Sequence, residues 1–172
     1  MYAVVAGASD DDAETLRRRW REQVIAGYEG YVTAAVGCGV IAFNERDEIL
    51  MLQRPTGKWW YPTGFCDVGV SPAENAAKEA REETGLIVKP ERLLAIIDNK
   101  KYGSPARHIY SMLFYCRIAG GELKPNPLEA IAAGFFPLER LPEPLHGVDR
   151  KWIALAHEFH FDGRVAPYFD PL

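Results

Sequence analysis

Residues Gly64 to Leu86 read GFCDVGVSPAENAAKEAREETGL, and the reading of this stretch decides the fold. Ser71-Pro72-Ala73-Glu74 is a helix start. The serine can cap the first turn, the proline suits the first helical position, and the glutamate three residues on can reach back to the serine N–H. Gly85 is the matching stop, because glycine takes the left-handed conformation that ends a helix. Between them Ala73, Ala76, Ala77 and Ala80 form a small-residue stripe at helical spacing, which lets the helix pack closely on a sheet. Glu79, Glu82 and Glu83 stand at i, i+3 and i+4, so 3.6 residues per turn gather them along one side, beside the alanine stripe but outside it. Like charges at these spacings disfavour an isolated helix by roughly 0.2–0.5 kcal/mol per pair. A bound divalent cation would remove that penalty, and oxygen ligands without His or Cys point to Mg²⁺ or Mn²⁺ rather than zinc. Lys78 and Arg81 offer the other solution, ordinary surface ion pairs.

Outward from this helix the pattern is that of an α/β domain. Tyr31 to Phe43 is rich in β-branched and small residues, NERDE supplies a turn, and Ile49 to Gln53 resumes the apolar run, which predicts a hairpin. Trp59-Trp60-Tyr61 is an aromatic cluster that ends in the turn residues Pro62-Thr63-Gly64. Strands are expected at Leu93 to Asp98 and His108 to Arg117, and a second substantial helix at Asp149 to Phe161. Upstream, Asp10 to about Ala26 places acids before bases with Leu16, Trp20 and Val24 four apart, the pattern of an N-terminal helix. The Arg17-Arg18-Arg19 run is read as a solvated face of that helix. The expected organisation is an N-terminal helical extension over 1–30 and one catalytic domain over 31–172.

Composition narrows the function. The chain has 172 residues, 48% apolar and 26% charged, the mix of an ordinary globular domain. A formal charge of −4 argues against a nucleic-acid binder, which needs an excess of Lys and Arg, but leaves room for a small phosphorylated ligand on a local basic patch. Cys38, Cys66 and Cys116 lack the spacing of a zinc site and are expected to be reduced thiols in or near the core. The N-terminus has no basic leader and the longest uncharged run, Gly30 to Asn44, is too short for a membrane span, so no membrane association and a cytoplasmic location are expected.

The run from Gly64 to Leu86 resembles the Nudix box, G-x5-E-x7-R-E-U-x-E-E-x-G-U with U aliphatic. Gly64, Glu79, Glu82, Glu83, Gly85 and Leu86 match it. Val70 stands where the box has its first Glu and Lys78 where it has Arg, and Ala80 fills a position usually held by a larger aliphatic. In the family that Glu and Arg mainly hold loop and helix together. Val70 cannot pair with Lys78, so the loop must be held otherwise; Asp67 is either the substitute carboxylate or a turn former. The resemblance implies an α/β/α sandwich with a mixed sheet. It also implies catalytic and metal-binding roles for Glu79, Glu82 and Glu83, with Gly64 at the metal, and makes a homodimer a reasonable expectation.

The activity implied is hydrolysis of the diphosphate linkage in a nucleoside diphosphate joined to another group, of the CDP-alcohol, ADP-ribose or nucleotide-sugar type. Two alternatives share the same helix: a nucleoside triphosphate pyrophosphohydrolase that cleanses the nucleotide pool, and a non-catalytic nucleotide-binding module. Retention of three clustered acids weighs against the module. Trp59, Trp60 and Tyr61 are candidates to stack on the nucleotide, with core packing as the other reading. Glu129 is either a further acid of the site or a solvated loop residue. The four histidines show no ligand spacing and are expected to be structural or on the surface.

Overall fold

The computed structural model describes residues 33–103, 108–147, 149–163 and 166–171, with Glu14, Thr15 and Arg18. The chain forms two units, residues 1–33 and 34–172. The expected N-terminal helix lies outside the described residues except for those last three, which are helical.

The run AVGCGVIAF becomes β1 (Ala35–Phe43) and is buried from Gly37 onward on both faces, as its unbroken apolar character requires of a central strand. It turns at Asn44, whose side-chain oxygen accepts from the N–H groups of Arg46 and Glu48, and returns as β2 (Ile49–Gln53). Phe43 pairs with Ile49, the expected hairpin. The stretch expected to be an aromatic cluster and turn instead contains two short strands, β3 (Trp59–Trp60) and β4 (Thr63–Phe65). β3 pairs with β2, and β4 pairs with β1 through Gly37–Phe65, Cys38–Gly64 and Gly39–Thr63. One edge of β1 is thus shared by two partners, and the chain between them opens beside the start of β1.

Helix α1 (Pro72–Thr84) follows and leads directly into β5 (Leu86–Asp98). β5 is longer than the expected 93–98 because Gly85, at φ 76°, reverses the chain at once and lets Leu86 and Val88 bury beneath α1. Pro90, poor in a strand interior, sits at a register shift in the pairing with β6 (Ile109–Gly121). β7 (Ala132–Phe136), α2 (Asp149–Phe161) and β8 (Tyr168–Phe169) complete the fold. The sheet runs β3-β2-β1-β6-β5-β8, with β4 added to β1 and β7 to β2. It is mixed: β1–β6 and β5–β8 are parallel and the other pairs antiparallel.

Side-chain alternation sends β1 to two cores. Cys38, Val40 and Ala42 meet Ala76 and Ala80 of α1, while Ile41 and Phe43 join Trp152, Ile153, Ala156 and Phe159 of α2. This is the expected α/β/α sandwich. Among the described residues no helix is long and apolar enough to cross a membrane.

Candidate active site

Helix α1 is capped as its sequence requires. Ser71 Oγ accepts from the Glu74 N–H, and the Glu74 carboxylate accepts from the Ser71 N–H at 3.0 Å. The loop before it is tied down from two sides. Asn75, fully buried, donates through Nδ2 to the Phe65 carbonyl at 2.8 Å and accepts the Asp67 N–H at 3.2 Å. Lys78 Nζ donates to Asp67 Oδ2 at 2.7 Å. Asp67 therefore supplies the carboxylate that Val70 lacks, one turn of chain earlier, and Lys78 replaces the usual arginine as its partner.

The three glutamates do not converge as their spacing alone suggests. Glu83 is buried to 2% exposure and is already engaged: Arg54 Nη1 donates to its Oε1 at 2.5 Å and the Thr63 N–H to its Oε2 at 3.0 Å. Arg54 also donates to the Thr63 carbonyl and hydroxyl, so α1, β4 and the end of β2 meet at one ion pair. Glu82 is half-exposed, 3.6 Å from Lys78. Glu79 lies between, against the backbone of Gly64; a Cβ there would come within 2.1 Å of its carboxyl carbon, so only glycine leaves Glu79 its place. Helical spacing fixes where side chains start, and here an arginine just past the end of β2 decides where one of them ends.

Burial raises the Glu79 carboxyl above its ordinary range, Lys78 lowers it, and Glu82, Glu129 and Asp67 raise it further. Burial pushes the Glu83 carboxyl up to about 7 against the opposing pull of Arg54 and the Thr63 N–H. Glu129 is exposed, on the turn before β7, close enough to act on Glu79 by its charge.

A cavity of about 840 Å³ opens beside this junction on the α2 side of the sheet. Arg54, Thr63 and Gly64 form the wall it shares with the acids, and Lys58 adds a second cation. Trp60 and Tyr61 line it, whereas Trp59 is not on its wall and packs edge-on to Phe136 at 5.0 Å. Trp60 is stacked on His146 with ring centroids 3.5 Å apart and 12° between planes. Burial lowers the His146 imidazole below its ordinary range, with Lys58 and Arg54 acting in the same sense. Sequence reading missed Arg54, Thr63, Asn75 and His146. Asn75 carried a signal, an amide beside the alanine stripe of a helix; the other three lie in turns and short strands that no period marks.

Among the described residues no three His, Cys, Asp or Glu side chains are placed to hold a metal ion between them. The donor chemistry nonetheless fits a hard divalent cation. Glu79 is held in a partly buried place beside other acids that make its ionisation costly, and a cation there would reverse that cost.

A family model described as the NUDIX domain matches residues 33–156. YjhB of Bacillus subtilis is 34% identical over 141 residues, which cover 81% of this chain and 65% of that protein, so the chain spans just under two thirds of this relative. Among solved structures, an ADP-ribose pyrophosphatase from Streptococcus suis is 36% identical with a TM-score of 0.72, covering 80% of this chain and all of that one. A UDP-X diphosphatase is 28% identical with a TM-score of 0.74, covering 95% of this chain and 77% of that one. A mixed sheet between two helices, with an acid-bearing helix closed by Gly85, is the Nudix architecture. The chain belongs to the Nudix hydrolase family.

Proposed function

We propose that the protein is a metal-dependent hydrolase of the diphosphate linkage in a nucleoside diphosphate joined to a second group, such as a CDP-alcohol, ADP-ribose or a nucleotide sugar. The observation that carries this reading is the junction itself: Glu79 is pressed against Gly64, and Gly64 also lines a cavity of about 840 Å³ walled by Arg54, Lys58 and aromatic rings. The names of the Streptococcus suis pyrophosphatase and the UDP-X diphosphatase support the same substrate class.

Glu79 and Glu82, with the Gly64 carbonyl, would hold Mg²⁺, or Mn²⁺ in its place, and Glu83 would join them by exchanging Arg54 for the ion. The chemistry such an ion supplies when bound is neutralisation of phosphoryl charge and activation of water. The chain's own residues do the rest. Arg54 and Lys58 offset the charge of the diphosphate oxygens at the shared wall, and Trp60, fixed by its stack on His146, offers a ring to the nucleotide. The Arg54–Glu83–Thr63 contacts fix β4 against α1, so that Gly64 and Glu79 keep their positions during turnover.

The test is product release from CDP-choline, ADP-ribose, UDP-sugars, dinucleoside polyphosphates and dNTPs with Mg²⁺ or Mn²⁺, beside Glu83→Gln. Cleavage of the linked nucleoside diphosphates, lost in the variant, is the expected result. Preference for dNTPs would replace this reading with nucleotide-pool cleansing, and silence with intact nucleotide binding would replace it with a binding module.

A further inference from the structure

One row of residues crosses the sheet beneath the cavity: Phe65 of β4, Gly37 of β1, Ser111 of β6 and Ile97 of β5 are successive register partners. Two residues beyond Ile97 the chain enters a short 3-10 turn, Asn99–Tyr102, and Asn99 Nδ2 donates to Ser111 Oγ at 3.0 Å. Asn99, Ser111 and Gly37 all line the cavity. A Cβ on Gly37 would meet Gly64 O at 3.4 Å and Ile109 Cγ2 and Ser111 Oγ at 3.5 Å, ordinary contact distances, and its φ is not in the left-handed region. Neither packing nor backbone conformation asks for glycine at 37. What its absent side chain leaves is a flat shelf of backbone that runs from Gly64 to the Asn99–Ser111 pair.

We infer that Asn99 and Ser111 read the edge of the nucleobase and select a base whose Watson–Crick edge carries an exocyclic amino group beside an unprotonated ring nitrogen, adenine or cytosine. The inference rests on the proposed action on nucleoside diphosphates and names the base. Among the described residues the bond to Ser111 is the only side-chain hydrogen bond of Asn99, and the one it donates to Ser111 is likewise the only one of that hydroxyl. With Nδ2 directed at Oγ, Asn99 Oδ1 remains as an acceptor and the serine hydroxyl keeps its own hydrogen to donate. An acceptor next to a donor matches the amino group and unprotonated ring nitrogen of adenine or cytosine. Uracil and hypoxanthine present a carbonyl and a ring N–H at the same edge, which sets acceptor against acceptor and donor against donor. A mismatch that leaves buried polar groups unpaired is worth about tenfold or more in affinity.

The test uses pairs that differ only at that edge: ADP-ribose against its inosine analogue and CDP-choline against UDP-choline for turnover, and AMP against IMP and CMP against UMP for calorimetric binding. The amino partner is expected to be favoured by about tenfold or more in each pair. Ser111→Ala, which removes the donor, and Asn99→Ala, which removes the acceptor, checked for folding by thermal melting, should bring that ratio toward one. A wild-type ratio of one or below, or a ratio that survives both substitutions, overturns the inference. Loss of turnover for every substrate would sink the proposed hydrolysis, while the binding ratios would still decide what Asn99 and Ser111 read.

Discussion

At the scale of single residues the site depends on polar groups that the fold has taken out of water. Asn75 is the clearest case, because its buried amide satisfies the Phe65 carbonyl and the Asp67 N–H at once. Asn75→Ala leaves both groups without it and is expected to cost about 1–3 kcal/mol, measured by urea unfolding. His146 gives a pH dependence with a definite sign. Its folded pKa lies below the ordinary 6.5, so the unfolded chain binds the proton more readily. Stability from this residue is complete above about pH 6.5 and is lost as the pH falls from there toward the folded value. His146→Phe keeps a ring against Trp60 but cannot titrate. Its melting temperature should fall less than that of the wild type between about pH 7.5 and 5.5. Equal slopes would show that the imidazole is not held neutral by the fold.

At the scale of elements, α1 was legible from end to end, since its cap, proline, alanine stripe and closing glycine each act through local geometry. Ser71→Ala should cost about 1 kcal/mol by the same unfolding measurement, because the Glu74 N–H loses its acceptor. The fate of the acids on that helix was less legible. Spacing places Glu79, Glu82 and Glu83 on one side, but the direction of Glu83 is set by Arg54, 29 residues away in sequence. The departures Val70 and Lys78 could be read as a lost pair, whereas the replacement by Asp67 depended on how far a loop bends back. β3 and β4 were hidden for the opposite reason: two or three residues are too few for alternation to register, and their pairing is fixed by β2 and β1.

At the scale of the whole unit over residues 34–172, the sheet divides the labour, with α1 and its acids on one face and the cavity on the other. They meet only where β1 exchanges one edge partner for another. The far wall of the cavity is held by residues that no local pattern marks. Asp170 accepts from the Tyr102 hydroxyl at 2.7 Å, the Tyr168 hydroxyl at 3.0 Å and the Asp98 N–H at 2.7 Å, and Lys151 donates to both tyrosines. This clasp fixes the turn that presents Asn99 and Tyr102 to the cavity. Asp170→Ala is expected to raise KM several-fold with little change in kcat, because it loosens a binding wall and leaves α1 untouched. An equal fall in kcat would place the clasp in the chemistry instead.

The most direct measurement of the proposed hydrolysis is the rate of nucleoside monophosphate release from ADP-ribose or CDP-choline as Mg²⁺ is titrated, for the wild type and Glu79→Gln. The expected result is turnover that requires the metal, with a loss of roughly 100-fold or more in kcat for the variant. Turnover that is independent of added divalent metal after chelation, or a variant that retains the wild-type rate, would contradict the assignment of the α1 acids to metal-assisted cleavage.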